Sequence, residues 1–221
     1  MQSRGRGTRS LAAGVQRDVG SQQRVAAYVI RGEAAFLLFT CVCVALHPGF
    51  VLKWREGGLS NYGLHIKTAV PYTLALALLS LYSQRAAAHC ASGDSRSRQL
   101  RWLLAAFSLV LLLVLLSSYV YSLNPTLKVV HFALGGVLVV LVGAASVWMF
   151  VHWSPSTWDW LFLAVQLVGD AVALLTGLGD AHLLFLSEML TNIGFVGLLV
   201  RSSRRVAVHG NGGPYSGEAA R

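Results

Sequence analysis

Two carboxylates interrupt apolar sequence in the last third of the chain: Asp170 within "QLVGDAVALLTG" and Glu188 within "LLFLSEMLTN", on either side of the turn-like "GLGDA". A charged carboxylate near the centre of a bilayer costs about 2.5–3.5 kcal/mol on insertion scales, so each is expected to face protein or a wet cavity. Their neighbours support an inward face. Gln166 and Asp170 are four residues apart, as are Glu188 and Asn192 with Thr191 beside them, which gives each helix a polar stripe. At 1.5 Å per residue both carboxylates lie on the order of 9–12 Å below the outer ends of their helices, so the pair is expected to meet at one depth. Two chemistries suit such a pair. One is a hydrogen-bonded lock between helices, and the other is a site that relays protons, binds a cation or works as an acid/base couple.

The histidines add a second pattern. His47, His65, His131 and His182 fall near outer ends of apolar blocks, whereas His89 and His152 fall near the opposite ends. A half-polar imidazole suits the headgroup level without any ligand. A metal site needs three or four convergent donors, and neither HxxxH nor HExxH is present. A transmembrane haem would want facing histidines on both sides of the bilayer, and phosphate-cradling glycine loops and a nucleophile elbow are also missing. No metal or cofactor is therefore expected, and which residues would be catalytic stays open. The candidate polar pocket comprises Gln166, Asp170, Glu188, Asn192, His65, His131 and His182.

The elements that must position these groups are apolar and long. Of 221 residues, 55% are hydrophobic and only 12% charged, with a mean hydropathy of +0.58. This composition excludes an ordinary soluble domain and points to an integral membrane protein. Blocks near the bilayer length of about 20 residues are read at 25–46, 64–83, 100–122, 129–151, 158–178 and 181–200. The first is the least continuous, because Arg31 and Glu33 lie inside it. No small-x-small site follows it, so a retained helix is expected rather than a cleaved signal. Gly135, Gly136 and Gly143 in the fourth block suggest close helix packing. Cys41, Cys43 and Cys90 form no pairing motif.

The net charge of +9 is unevenly spread. Arg4, Arg6, Arg9, Arg17 and Arg24 precede the first block, Arg85, Arg96, Arg98 and Arg101 flank the second loop, and Arg201, Arg204 and Arg205 follow the last. Alternate loops hold only Lys53, Arg55, Lys67 and Lys128. The bias predicts both termini in the cytoplasm and contact with anionic membrane lipids, not nucleic acid. Trp102, Trp148, Trp153, Trp158 and Trp160 would form an inner aromatic belt, with Tyr119 and Tyr121 marking the outer side. Residues 1–24 and 201–221 read as disordered basic tails around a transmembrane domain at 25–200.

The outer loop "HPGFVLKWREGGLSNYGLHIKT" carries His47, Pro48 and Gly49, then Ser60, Asn61 and Gly63. Pro48 and Gly49 end the first helix, and Ser60 or Asn61 can cap the next. This pattern resembles a family of six-span bacterial membrane proteins that carry a domain of unknown function and are distantly similar to the Frag/DRAM membrane proteins; Asn61 stands where that family more often has Asp. The resemblance implies a six-span all-α bundle in the cell membrane and no agreed activity. Three functions stay open. The pocket binds or moves a small cation, proton or polar solute; or the protein handles lipid headgroups as an enzyme or accessory factor; or it is a scaffold without pocket chemistry.

Overall fold

The computed structural model describes residues 5–52, 58–90, 95–152, 155–177 and 183–209, and all regular structure in them is helical. The elements in chain order are α1 (Gly5–Leu46), α2 (Gly49–Leu52), α3 (Asn61–Leu64), α4 (Ala69–His89), α5 (Ser95–Ser118), α6 (Pro125–His152), α7 (Thr157–Gly177) and α8 (Leu184–His209). Five segments are long and apolar enough to cross a membrane: Gln23–Leu46, Ser95–Ser118, Pro125–His152, Thr157–Leu175 and Leu184–Arg204. At most 33% of each hydrophobic window is buried inside the protein. Large side chains such as Leu38, Val70, Leu116, Val140 and Leu174 point outward. An apolar exterior of this extent suits lipid, and the chain is a multi-pass membrane protein.

α1 packs against α4 and α8, α4 against α5, and α7 against α8, while α6 touches α5, α7 and α8 and closes the bundle. Leu79, Leu104, Phe107, Met149, Phe195, Leu198 and Leu199 fill its interior. α4 is as long as a span, but its polar side chains keep it out of the strongly apolar set. Gln84 and Arg85 are exposed, whereas Tyr72 and Ser80 bond α5. Ser80 and Ser108 hydroxyls lie 2.7 Å apart, and each donates to the other's carbonyl, at 3.1 and 3.0 Å. Tyr72 Oη and Ser118 Oγ meet at 2.7 Å. Reciprocal hydroxyl bonds between small residues let two helix backbones approach closely within an apolar medium.

Several boundaries differ from the sequence reading. The second block starts at Ala69 rather than residue 64, because Thr68 Oγ1 donates to Tyr62 O at 2.8 Å and His65 O at 3.2 Å and holds a turn there. Pro71 then falls in the first turn of α4, where a missing N–H costs nothing. α1 begins at Gly5 and α8 reaches His209, so helix extends into both segments expected to be tails. With no proline between residues 1 and 47, adding turns to a formed helix avoids the nucleation cost. α6 starts at an Asn-Pro pair: Asn124 Oδ1 caps Leu127 N–H at 2.8 Å, and Pro125 occupies the first helical position.

The glycines that bring helices together are not those expected. A Cβ on Gly135 or Gly136 would meet nothing within 4 Å, and one on Gly143 would meet Asp170 Oδ2 at an ordinary 3.6 Å. Close approach occurs instead between α7 and α8. A Cβ on Gly169 would lie 2.5 Å from Thr191 N, one on Gly194 2.6 Å from Gln166 N and Phe162 O, and one on Gly197 would run into the Phe162 ring.

Candidate functional site

The α7–α8 contact, close because only glycine fits where the backbones touch, brings Thr191 of α8 against the polar stripe of α7. Thr191 Oγ1 donates to Asp170 Oδ1 at 2.8 Å, and Gln166 Nε2 donates to Asp170 Oδ2 at 3.5 Å. Ser146 Oγ of α6 donates to Gln166 Oε1. Ser146 and Gln166 are fully buried. A continuous polar network thus joins α6, α7 and α8 through Ser146, Gln166, Asp170 and Thr191. Buried polar groups in an apolar medium persist when bonded to one another, and each bond here links different turns or helices.

Asp170 and Glu188 form no hydrogen bond with each other. Glu188 Oε2 instead accepts the Leu59 backbone N–H at 2.7 Å, tying the outer loop to α8. Its stripe partner Asn192 also turns away from α7. Asn192 Nδ2 donates to Glu33 Oε1 of α1 at 2.7 Å. The sequence reading treated Glu33 only as a flaw in the first span. Its role was visible in principle as a third carboxylate inside an apolar block, but pairing it with Asn192 needed the packing of α1 on α8. Glu33 is 9% exposed, and its Oε2 has no hydrogen-bond partner among the described residues. Glu33 of α1 and Asp170 of α7 are thus held by neighbouring donors of α8, Asn192 and Thr191, one turn from Glu188, and this polar stretch of α8 forms a seam between α1 and α7.

The histidines do not join that seam. His131 is buried with both ring nitrogens occupied: Nδ1 lies 2.7 Å from Ser117 Oγ and Nε2 2.9 Å from Ser60 Oγ. Tyr121 stacks on its ring at 4.6 Å and donates to Asn61 Oδ1 at 2.5 Å. Ser60 and Asn61 thereby dock the outer loop on α6 and the turn between α5 and α6, and Gly63 completes the fit, since a Cβ there would lie 2.8 Å from the Tyr72 ring. His65 packs edge-on against His47 with centroids 4.4 Å apart, and Phe50 stacks on His47 at 4.3 Å. Tyr62 Oη donates to His47 O at 3.4 Å. Burial pushes the Tyr62 phenol up to about 12, so it stays a neutral donor. Pro48 O accepts Val51 N–H at 3.1 Å as α2 starts, and Gly49 lies against the His47 ring. His182 lies outside the described residues, as do Trp153 and loop positions 53–57.

A further ion pair went unnoticed in the sequence. Ser156 caps α7, its N–H and Oγ donating to Asp159 Oδ2 at 2.6 and 2.7 Å, while Arg201 Nε of α8 donates to Asp159 Oδ1 at 2.7 Å. The Ser-x-x-Asp spacing is the legible half of this clasp. Among the described residues no group of three or more His, Cys, Asp or Glu side chains is arranged to hold a metal ion. Compared with known proteins, the chain matches no family model, no curated protein and no solved structure, and the likeness of its outer loop rests on the loop residues alone.

Proposed function

We propose that the chain is a six-span protein of the cell membrane, with both termini in the cytoplasm, that binds and moves a proton or small monovalent cation at the α8 seam. The observation that carries this reading is Glu33. A buried carboxyl in a span holds one oxygen on Asn192 and leaves the other without a partner among the described residues. A purely structural lock has no use for a bare carboxyl oxygen, which costs about 1–3 kcal/mol when buried unpaired. A group that takes up and releases a cation needs one. Asp170, with Thr191 and Gln166 around it, is the second binding group on the same helix seam. α4 serves as the sixth span because it has the length of one and its Tyr72 and Ser80 are bonded to α5. The arginine distribution supports the orientation.

Purified protein in liposomes, with sodium, potassium or proton gradients imposed in turn, provides the test. Wild type is expected to move at least one of these ions, and Glu33→Gln and Asp170→Asn are expected to cut that flux tenfold or more while remaining folded. Absence of flux for all three ions, or full flux in both folded variants, overturns the reading.

A further inference from the structure

Among the described residues, the buried side-chain atoms without a hydrogen-bond partner are Glu33 Oε2, Thr40 Oγ1, His47 Nδ1 and His65 Nδ1. They are not scattered. Glu33, Thr40 and His47 are spaced by seven residues, so they fall on one stripe of α1 with a drift of only about 20° per step and a rise of about 10.5 Å. His47 keeps its place on that stripe, because its N–H still donates to Cys43 O at 2.9 Å in the helical pattern. His65 continues the line beyond the helix end through its ring contact with His47. Thr40 is 3% exposed, so its hydroxyl is enclosed by protein.

We propose that this line is a proton path from the outer face to Glu33, which makes the proton the cation of the α8 seam. The inference rests on the function proposed above. Hard metal cations need about six oxygen ligands or more, and the line offers one carboxyl oxygen, one hydroxyl and two imidazole nitrogens strung over roughly 20 Å. These are poor cages but serviceable relay groups. An imidazole nitrogen with a free lone pair accepts a proton and hands it on, and a hydroxyl accepts at oxygen while donating its own hydrogen. Steps of about 10.5 Å exceed direct hydrogen-bond reach, so the path requires two or three waters to enter beside Phe36 and Cys43 when it conducts.

The balance is simple. One proton from outer water is taken by His65 or His47, passes through Thr40, and converts the Glu33 carboxylate to a carboxylic acid, which becomes the carboxylate again when it releases the proton to inner water. No other bond changes. The charged and titratable groups on α1 and the elements around it include Tyr28, Arg31, Cys41 and Cys43 of α1, Tyr72, Tyr82, Arg85 and His89 of α4, Asp170 of α7, and Glu188, Arg201 and Arg204 of α8. None hydrogen-bonds Glu33, whose protein partner is Asn192. Arg31 lies over the Tyr28 ring at 5.7 Å, and the Cys43 thiol donates to Thr68 O.

Liposomes loaded with a pH-sensitive dye, under a potassium diffusion potential, read the path directly. Wild type is expected to conduct protons; Thr40→Val, which keeps the shape and removes the hydroxyl, and His65→Phe are each expected to slow this at least tenfold. Thr40→Ser is expected to restore it. A thermal midpoint in detergent close to wild type certifies folding, and should Thr40→Val fail it, His65→Phe carries the test. Proton flux unchanged in the folded Thr40 and His65 variants but lost in Glu33→Gln overturns the path and leaves the seam standing. Sodium or potassium flux without proton flux does the same. No flux of any cation overturns both.

Discussion

At the residue scale, the outer-loop motif acts through small, specific fits. Gly63 lies against the buried Tyr72 ring, itself held by Ser118, so the ring has little freedom to yield. Gly63→Ala is expected to lower stability by about 1–3 kcal/mol, the usual cost of overpacking, read as a lower unfolding midpoint in detergent. An unchanged midpoint would show that the loop floats. Ser60 and Asn61 were legible as helix caps, yet Ser60 makes no side-chain cap to α3 and instead holds His131. Arg201 offers a parallel case. Asp159 is 3% exposed, so Arg201→Ala leaves a buried carboxylate short of a donor and is expected to cost about 1–3 kcal/mol by the same measurement.

At the element scale, α7 and α8 approach backbone to backbone, and glycine decides it. Gly194→Ala would place a methyl 2.6 Å from backbone atoms of α7, which cannot rotate away as a side chain could. The expected result is separation of the helices, loss of the Thr191–Asp170 bond and a clear fall in thermal stability. Gly136→Ala is the control. With open space around it, the substitution is expected to be neutral or to stabilise by roughly 0.5–1 kcal/mol, because alanine is the better helix former. If the two variants behave alike, the packing described for α7 and α8 is wrong. Sequence pattern could mark glycines as contact residues but could not say which, since Gly135 and Gly136 look as suited to packing as Gly194 and Gly197 until the partner helix is in place.

At the scale of the whole molecule, topology is the property that the sequence speaks to most directly. In a chain whose cysteines have been replaced, Lys67→Cys is expected to react with an impermeant thiol reagent from outside intact cells, and Arg98→Cys only after the membrane is opened. Labelling of the Arg98 position from outside would reverse the orientation. The all-α architecture, the apolar spans and the polar stripes on α7 and α8 follow from composition and periodicity, because hydrophobic length and the 3.6-residue repeat are local properties of a chain. The start of α4 and the extension of α1 were not legible, since a turn at Thr68 and the continuation of a helix past its apolar block depend on capping and propagation rather than on hydropathy. The partners of the polar groups were beyond it altogether. Asp170 and Glu188 carried the expectation of a shared bond, but one faces Thr191 and Gln166 and the other the backbone of Leu59, while Asn192 finds Glu33 across 159 residues of chain. A stripe fixes which face of a helix is polar. Which helix lies opposite that face, and at what rotation, is set by the packing of all the helices together, and only the tertiary structure decides it.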